Sequence, residues 1–347
     1  MSTRAPASRL PAGIWALGFV SLLMDVSSEM IHSLLPLFMV GPLGMGVALV
    51  GLLEGLAEAT ALIVKVFSGV ISDWVGRRKP LALLGYGLGA ASKPLFALAT
   101  GPGLIFGARL LDRVGKGIRD APRDALVADI AAPEQRGAAF GLRQALDSVG
   151  AFLGPLLATA LLLLWTDNFR AVFVVALVPG LLCMLVLALG VHEPARPLGA
   201  RRGNPISKAN LRRLPPAYRW VVGLGMLVTL ARFSEAFLVL RAEQTGVAVA
   251  WVPMVMVAMN VVYALAAYPF GRLADRVSRH ALLAGGLMVL VLADLVLALG
   301  THWGSVLAGV LLWGLHLAMT QGLLAAMVAE HAPADLRGTA FGFFNLV

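Results

Sequence analysis

The chain has 347 residues, 59% of them hydrophobic and only 14% charged, with a mean hydropathy of +0.83. A soluble domain is about half apolar and about a quarter charged, so two or three soluble domains are excluded and a membrane protein is indicated. The formal charge of +9 does not indicate nucleic acid, because no basic, aromatic-interleaved soluble domain is present to hold it.

A bilayer needs about 20 mostly apolar residues per helix. The first such run is 14–40, read as a spanning helix and not a cleaved signal, since no small-residue cleavage site precedes a polar region. Further spans follow at 46–72, 80–100, 103–128, 138–165 and 169–191, completing a six-helix bundle over 1–191. A Pro- and Arg-rich linker fills 192–218. Beyond it, a bundle over 219–347 has spans at 219–241, 248–271, 281–300 and 304–329, with an eleventh starting at Gly338. By analogy with the first bundle it is expected to be incomplete, ending inside that helix. None of the runs shows the period-two alternation of a barrel strand, so the fold class is an all-α polytopic membrane protein. The single cysteine, Cys183, lies in an apolar run and supports neither a disulfide framework nor a thiolate metal site.

Two stretches recur. Gly69-Val-Ile-Ser-Asp73-Trp-Val-Gly76-Arg77-Arg78 returns as Gly271-Arg-Leu-Ala-Asp275-Arg-Val-Ser278-Arg279-His280. Asp129 followed by Arg136-Gly137 returns as Glu330 followed by Arg337-Gly338. Both pairs are separated by roughly two hundred residues, which signifies two homologous halves. In an apolar chain a parallel duplication is a transporter signature. The basic residues also alternate by loop: Arg77, Arg78 and Lys79, then the linker, then Arg272, Arg276 and Arg279, with uncharged loops between. By the positive-inside rule the N-terminus and linker lie in the cytoplasm, and the chain is a multi-pass protein of the cytoplasmic (inner) membrane.

These residues resemble the signature of the major facilitator superfamily, Gly-x-x-x-Asp-(basic)-x-Gly-(basic)-(basic). Trp74 departs from it in the first copy, and Ser278 and His280 depart in the second. Arg109 is similar to that family's intramembrane arginine. Gly150-Ala-Phe-Leu-Gly154-Pro155 is similar to an element of its exporting, proton-antiporting branches, with Ala158 where a further glycine is usual. The resemblance implies two six-helix bundles related by pseudo-twofold symmetry around a midplane cavity. It also implies a conformational gate formed by Gly69, Asp73, Gly76, Arg77, Arg78, Asp129, Arg136, Gly271, Asp275 and Arg279, which latches the halves in the outward-facing state.

Each charge inside a span costs about 2.5–3.5 kcal/mol on insertion scales, so each needs a reason. Asp25, Glu29 and His32 share one face of span one; Glu54, Glu58 and Lys65 share one face of span two. Span four carries Arg109, Asp112, Arg113, Lys116 and Asp120, and span five carries Arg143 and Asp147 above Gly150 and Gly154. The functional reading is a proton and substrate site with Asp25 and Glu29 as acids and Arg109 or Arg113 as modulators. The structural reading is fixed ion pairs, favoured for Asp112, Lys116, Asp120 and Arg123. Ser28-Glu29 recurs as Ser234-Glu235 in span seven, with Arg232 three residues before Glu235. Tyr86, Lys93, Gln144, Asn260 and Tyr263 are further cavity candidates. Gly150, Gly154 and Pro155 serve close packing and a bend.

The leading expectation is a proton-coupled antiporter that exports small molecules, with protons and the lipid bilayer as partners, no nucleic acid and no cofactor. Alternatives are a proton symporter, a non-transporting membrane sensor, and a divalent-metal exporter using Asp25, Glu29 and His32, completed by His316 and Gln321. No P-loop, HExxH or GxSxG motif appears, so an enzyme is not expected.

Overall fold

A computed structural model describes residues 9–165, 168–194, 210, 212–232, 238, 241–242, 245 and 253–346. Among these residues all regular structure is helical. The first predicted span is two helices, α1 (Ala12–His32) and α2 (Leu35–Val40). Pro36 has no N–H to give the His32 carbonyl, and the helix is interrupted at Ser33 and Leu34, where the Ser33 hydroxyl donates to the Glu29 carbonyl at 2.7 Å. Then come α3 (Val47–Val75), α4 (Lys79–Leu98), α5 (Pro102–Ile130) and α6 (Arg136–Leu164). The sixth span is again two pieces, α7 (Phe169–Val175) and α8 (Leu177–Gly190). The Ser27 hydroxyl of α1 donates to the Ala176 carbonyl at that junction, at 2.5 Å. After the linker lie α9 (Pro216–Ala231), α10 (Pro253–Ala274), α11 (Arg279–Leu299), α12 (Trp303–His331) and α13 (Arg337–Phe344).

Seven helical segments among the described residues are long and apolar enough to cross a bilayer. α5 matches the longest in length, at 29 residues, but its buried residues include Arg109, Asp112, Arg113, Arg119, Asp120, Arg123 and Asp124. Such a helix is stable in a membrane only if its neighbours supply counter-charges. α3, α4 and α1 surround it and do so.

α6 packs against both α1 and α10, using small residues for each contact. Gly137 and Gly141 meet α10, whereas Gly150 and Gly154 meet α1. Pro155 is accommodated within α6 without interrupting it. The apolar core fills the space between helices in three clusters. One, at the end away from the basic loops, has Phe38, Phe96 and Phe173 in edge-on contact, Phe38 and Phe173 at 5.3 Å between centroids. At that same end, arginines cap helix C-termini in both halves of the repeat. Arg170 donates to the Ala99 carbonyl at 3.0 Å and Arg241 to the Gly300 carbonyl at 2.7 Å.

Candidate functional site

At the basic end the duplicated acids do the same task twice. Asp73, in the last turn of α3, accepts from the Gly338 N–H at 2.9 Å and the Thr339 N–H at 2.5 Å. Those amides belong to the first turn of α13, where they have no partner in their own helix and sit at its positive pole. Asp275, just past α10, accepts from the Gly137 and Ala138 N–H groups of α6 at 2.8 Å each. Each carboxylate therefore ties its own half of the repeat to the other half.

The arginines follow the same pseudo-symmetry. Arg78 donates through Nε to Asp129 at 2.6 Å, pairs with Asp73 at 3.1 Å, and donates to the Ala334 carbonyl at 3.1 Å. Arg279, which the repeat aligns with Arg77 and not with Arg78, pairs with Glu330, the counterpart of Asp129. Arg337 donates to Asp129 at 2.7 Å and to the Ala128 carbonyl at 3.4 Å; Arg136 donates to the Ala329 carbonyl at 3.0 Å. Gly69 crosses Gly338 and Gly137 crosses Gly271 so closely that a Cβ on any of the four would strike the opposite backbone carbonyl.

The departures from the repeated pattern have local causes. Gly76 closes α3 in the left-handed region, φ +73°, which favours glycine. Ser278 instead has φ −60° and caps α11, its hydroxyl accepting from the Ala281 N–H. Arg77 and Arg78 also part company: Arg78 is fully buried, while Arg77 is exposed and makes no ion pair among the described residues. The latch geometry thus belongs to Arg78 and not to Arg77. Trp74, in place of a basic residue, is 62% exposed. Burial raises the Asp275 carboxyl above the ordinary aspartate value, although its two N–H donors and Arg279 pull the other way.

Inside the spans the charges form a continuous set of contacts along α5. Arg109 pairs with Glu54, and Arg113 with Glu58 at 3.0 Å. Both arginines are therefore engaged by α3 and do not hydrogen-bond Asp25 or Glu29, where sequence reasoning had them as modulators. Asp112 is a hub: Lys93 Nζ lies at 2.8 Å, His32 Nε2 at 3.2 Å and the Ser92 hydroxyl at 3.3 Å. Lys93, wholly buried, also donates to the Ser28 hydroxyl at 3.1 Å. His32 Nδ1 is 3.5 Å from Glu29. Lower down, Asp120 holds Lys65 at 3.0 Å and Asp124 holds Arg123 at 3.0 Å. For Asp112, Asp120 and Arg123 the ion-pair expectation matches the contacts.

Asp25 does something different. It lies against α6 at Gly150, and Asp147, one turn earlier on α6, is approached by Arg143 at 3.5 Å. The glycines of α6 make the approach feasible: a Cβ at Gly150 would lie 2.9 Å from that of Asp25, and one at Gly154 2.6 Å from that of Glu29.

The C-terminal helices are polar by hydrogen bonding more than by charge. The Tyr263 hydroxyl donates to Gln321 at 2.5 Å, His316 Nδ1 meets the Gly286 carbonyl at 2.8 Å, and Asn260 donates within α10 to the Met256 carbonyl. Arg232 caps the end of α9. Ser234 and Glu235 lie outside the described residues. The metal set is not assembled: Asp25 lies against α6, His32 sits between Glu29 and Asp112, and His316 and Gln321 have partners elsewhere. Among the described residues no group of three or more His, Cys, Asp or Glu is placed to hold a metal.

Sequence reasoning passed over two features. It did not pair Lys93 with Asp112, although both are intramembrane charges of opposite sign. It also missed Arg119, fully within α5 and stacked 4.7 Å over the Tyr86 ring. Tyr86 and Lys93 are buried inside the helix packing.

Known proteins agree with this architecture. The chain is 32% identical to an uncharacterised MFS-type transporter of Methanocaldococcus jannaschii, over 97% of this chain and 85% of that protein. It is 26% identical to the multidrug resistance protein MdtH of Yersinia pestis, over 96% and 82%. Among solved structures, the human organic anion transporter MFSD10 superposes with a TM-score of 0.73 at 20% identity, covering 99% of this chain and 90% of that one. The Escherichia coli fucose:proton symporter FucP superposes with a TM-score of 0.77 at 17% identity, covering 96% and 88%. The profile of the Major Facilitator Superfamily matches residues 17–347, and with the duplicated latch and the all-helical fold the chain belongs to that superfamily, as a membrane transporter.

Proposed function

We propose that this protein is a proton-coupled antiporter that exports small molecules by alternating access across the cytoplasmic membrane. The observation that carries the reading is the close packing of Asp25 on α1 against Gly150 of α6, one turn from Asp147, two intramembrane acids that in this reading share a proton. The two helices touch there through Gly150 and Gly154, so any movement of α6 against α1 alters that pair. α6 also carries the Gly137 and Ala138 amides that Asp275 holds, and one helix thereby connects the proton to the latch. In this reading the basic end is cytoplasmic and its latch is closed, giving an outward-facing state. The helices of 1–191 and 219–347 then move as two bodies joined by the 192–218 linker. Export, as against import, is supported by the likeness to MdtH and by the Gly150-x-x-x-Gly154-Pro155 element.

Everted membrane vesicles test this directly. Respiration acidifies the lumen, and a pH-sensitive dye follows it. Addition of a transported compound, from a panel of organic cations and anions, is expected to release lumenal protons in vesicles with the protein and not in vesicles without it. If no compound moves protons while some of them still cross by this protein, the coupling is wrong.

A further inference from the structure

We infer that Glu29 and His32 form a second proton-binding site, at the end of α1, in which the imidazolium of His32 bridges Glu29 and Asp112. This deepens the proton-coupled reading above, on which it rests, and places a proton carrier apart from Asp25 and Asp147.

Asp112 fixes the ring. Its Oδ1 takes the Lys93 ammonium at 2.8 Å and the Ser92 hydroxyl at 3.3 Å, which keeps it a carboxylate. A carboxylate can only accept, so its Oδ2, 3.2 Å from His32 Nε2, takes a ring N–H. Nδ1 then faces Glu29 Oε1 at 3.5 Å, in ion-pair range. A neutral ring with its proton on Nε2 has a lone pair at Nδ1, and a lone pair repels a carboxylate oxygen. The two contacts together therefore require one more proton, between Nδ1 and Oε1. Imidazole is a stronger base than a carboxylate, so that proton sits on the ring. The site opens toward Glu29: the side chains of Glu29, His32 and Asp112 are 38%, 12% and 3% exposed.

Its position gives the proton leverage. His32 is the last residue of α1, next to the interruption at Ser33 and Leu34, and the Ser33 hydroxyl holds the Glu29 carbonyl at 2.7 Å. A Cβ at Gly154 would lie 2.6 Å from that of Glu29, so the site also borders the α1–α6 contact. When the Nδ1 proton passes to water, the neutral ring still donates from Nε2 to Asp112. Glu29, now repelled, turns away. One proton thereby decides whether the last turn of α1 is closed on itself, while its tie to α5 is kept.

The other charged groups around the ring have partners of their own. From α4 comes Lys93, held by Asp112; from α5 come Arg109 and Arg113, held by Glu54 and Glu58 of α3. Arg109 also approaches Asp112 at 3.9 Å. Lys116, one turn beyond Asp112, is partly buried. Asp25, one turn before Glu29, lies against Gly150, and Asp147 of α6 has Arg143. Arg170 of α7 caps the Ala99 carbonyl. Among the described residues Glu29 is the acid paired with Nδ1 and Asp112 the acid paired with Nε2.

The test reads the ring and not transport. The full chain, in lipid nanodiscs with nitrogen-labelled histidine and carboxyl-labelled glutamate, is titrated by solid-state NMR. Carbonyl-labelled isoleucine assigns His32, because Ile31–His32 is the only Ile–His step in the sequence. At the acid end both ring nitrogens are expected to carry protons, with Nδ1 in dipolar contact with the Glu29 carboxyl carbon. As the pH rises, Nδ1 loses its proton while Nε2 keeps its own, and the contact is lost in the same transition. In Glu29→Gln the amide accepts from the protonated ring or donates to the neutral one, so the contact persists throughout. Glu58→Gln, whose carboxylate belongs to Arg113, behaves as the unsubstituted protein. A contact that outlasts the Nδ1 proton in the unsubstituted protein overturns the inference. So does loss of the Nε2 proton instead, or a ring that stays neutral over the whole pH range of the folded state. The unsubstituted protein delivers that result even if Glu29→Gln does not fold. A ring that titrates as expected, in a protein whose vesicles move no protons, would remove the coupled reading and leave the site.

Discussion

Replacing Lys93 by methionine is expected to destabilise the protein by about 3–5 kcal/mol, the usual cost of leaving a buried charge without its partner. Methionine matches the volume of the lysine stem, so packing around α4 changes little. Asp112 would lose its closest cation, the ammonium at 2.8 Å, and Ser28 would lose a donor at 3.1 Å. Arg109 at 3.9 Å is too far, and too engaged with Glu54, to replace it. The check is thermal unfolding in detergent of Lys93→Met, Asp112→Asn and the double variant. The double variant should recover most of the loss, since removing both charges of a buried pair is far cheaper than removing one. A Lys93→Met protein as stable as the original would show that the Asp112 hub is not what holds α1, α4 and α5 together.

The second large effect is at the latch. Asp73→Ala removes two hydrogen bonds from a carboxylate to first-turn amides, each worth about 1.5–3 kcal/mol, and leaves Arg78 without one of its two carboxylates. Each 1.4 kcal/mol is a factor of about ten in a two-state equilibrium, so the closed basic end should lose its dominance. Spin labels at the exposed Arg77 and Arg276, in a Cys183→Ala background, report it as a new, longer distance population. Asp275→Ala should open the same end to a smaller extent. Its bonds are of similar length, but the neighbouring Arg279–Glu330 pair is more solvated, with Glu330 48% exposed, whereas Arg78 and Asp73 are wholly buried. Solvated pairs contribute less. Equal effects from the two aspartates, or none from Asp73, would mean that glycine packing alone closes this end.

Much of this was legible in the residues, for reasons that also show where legibility ended. The duplication announced two halves because spacing survives where identity does not, and the family profile extends over both, at residues 17–347. Asp73 and Asp275 stood out as acids in basic loops. Their partners did not, because a backbone N–H at the start of α13 or α6 has no residue-type signature. Asp25, Glu29 and His32 were correctly placed on one face of a helix. A face, however, can be shared between neighbours: Asp25 meets α6, while His32 meets α5. The spacing says which side chains point the same way, not which helix waits there. Arg77 and Arg78 were indistinguishable as adjacent basic residues, and only the left-handed turn at Gly76 sends one inward and one to the surface. The break in the first span was foreshadowed by Pro36, which the hydropathy profile runs straight through.

The central claim is that a proton on the Asp25–Asp147 pair is what drives transport, and one comparison tests it most directly. Proteoliposomes containing the full chain, Asp25→Asn or Asp147→Asn are loaded with a compound that the vesicle assay identifies. Uptake driven by a pH gradient is then measured beside gradient-free exchange of labelled for unlabelled compound. Both variants are expected to keep exchange within a few-fold and to lose at least about tenfold of the gradient-driven flux, because substrate passage survives while the proton has no site. Gradient-driven flux at the unsubstituted level in both variants would contradict the account.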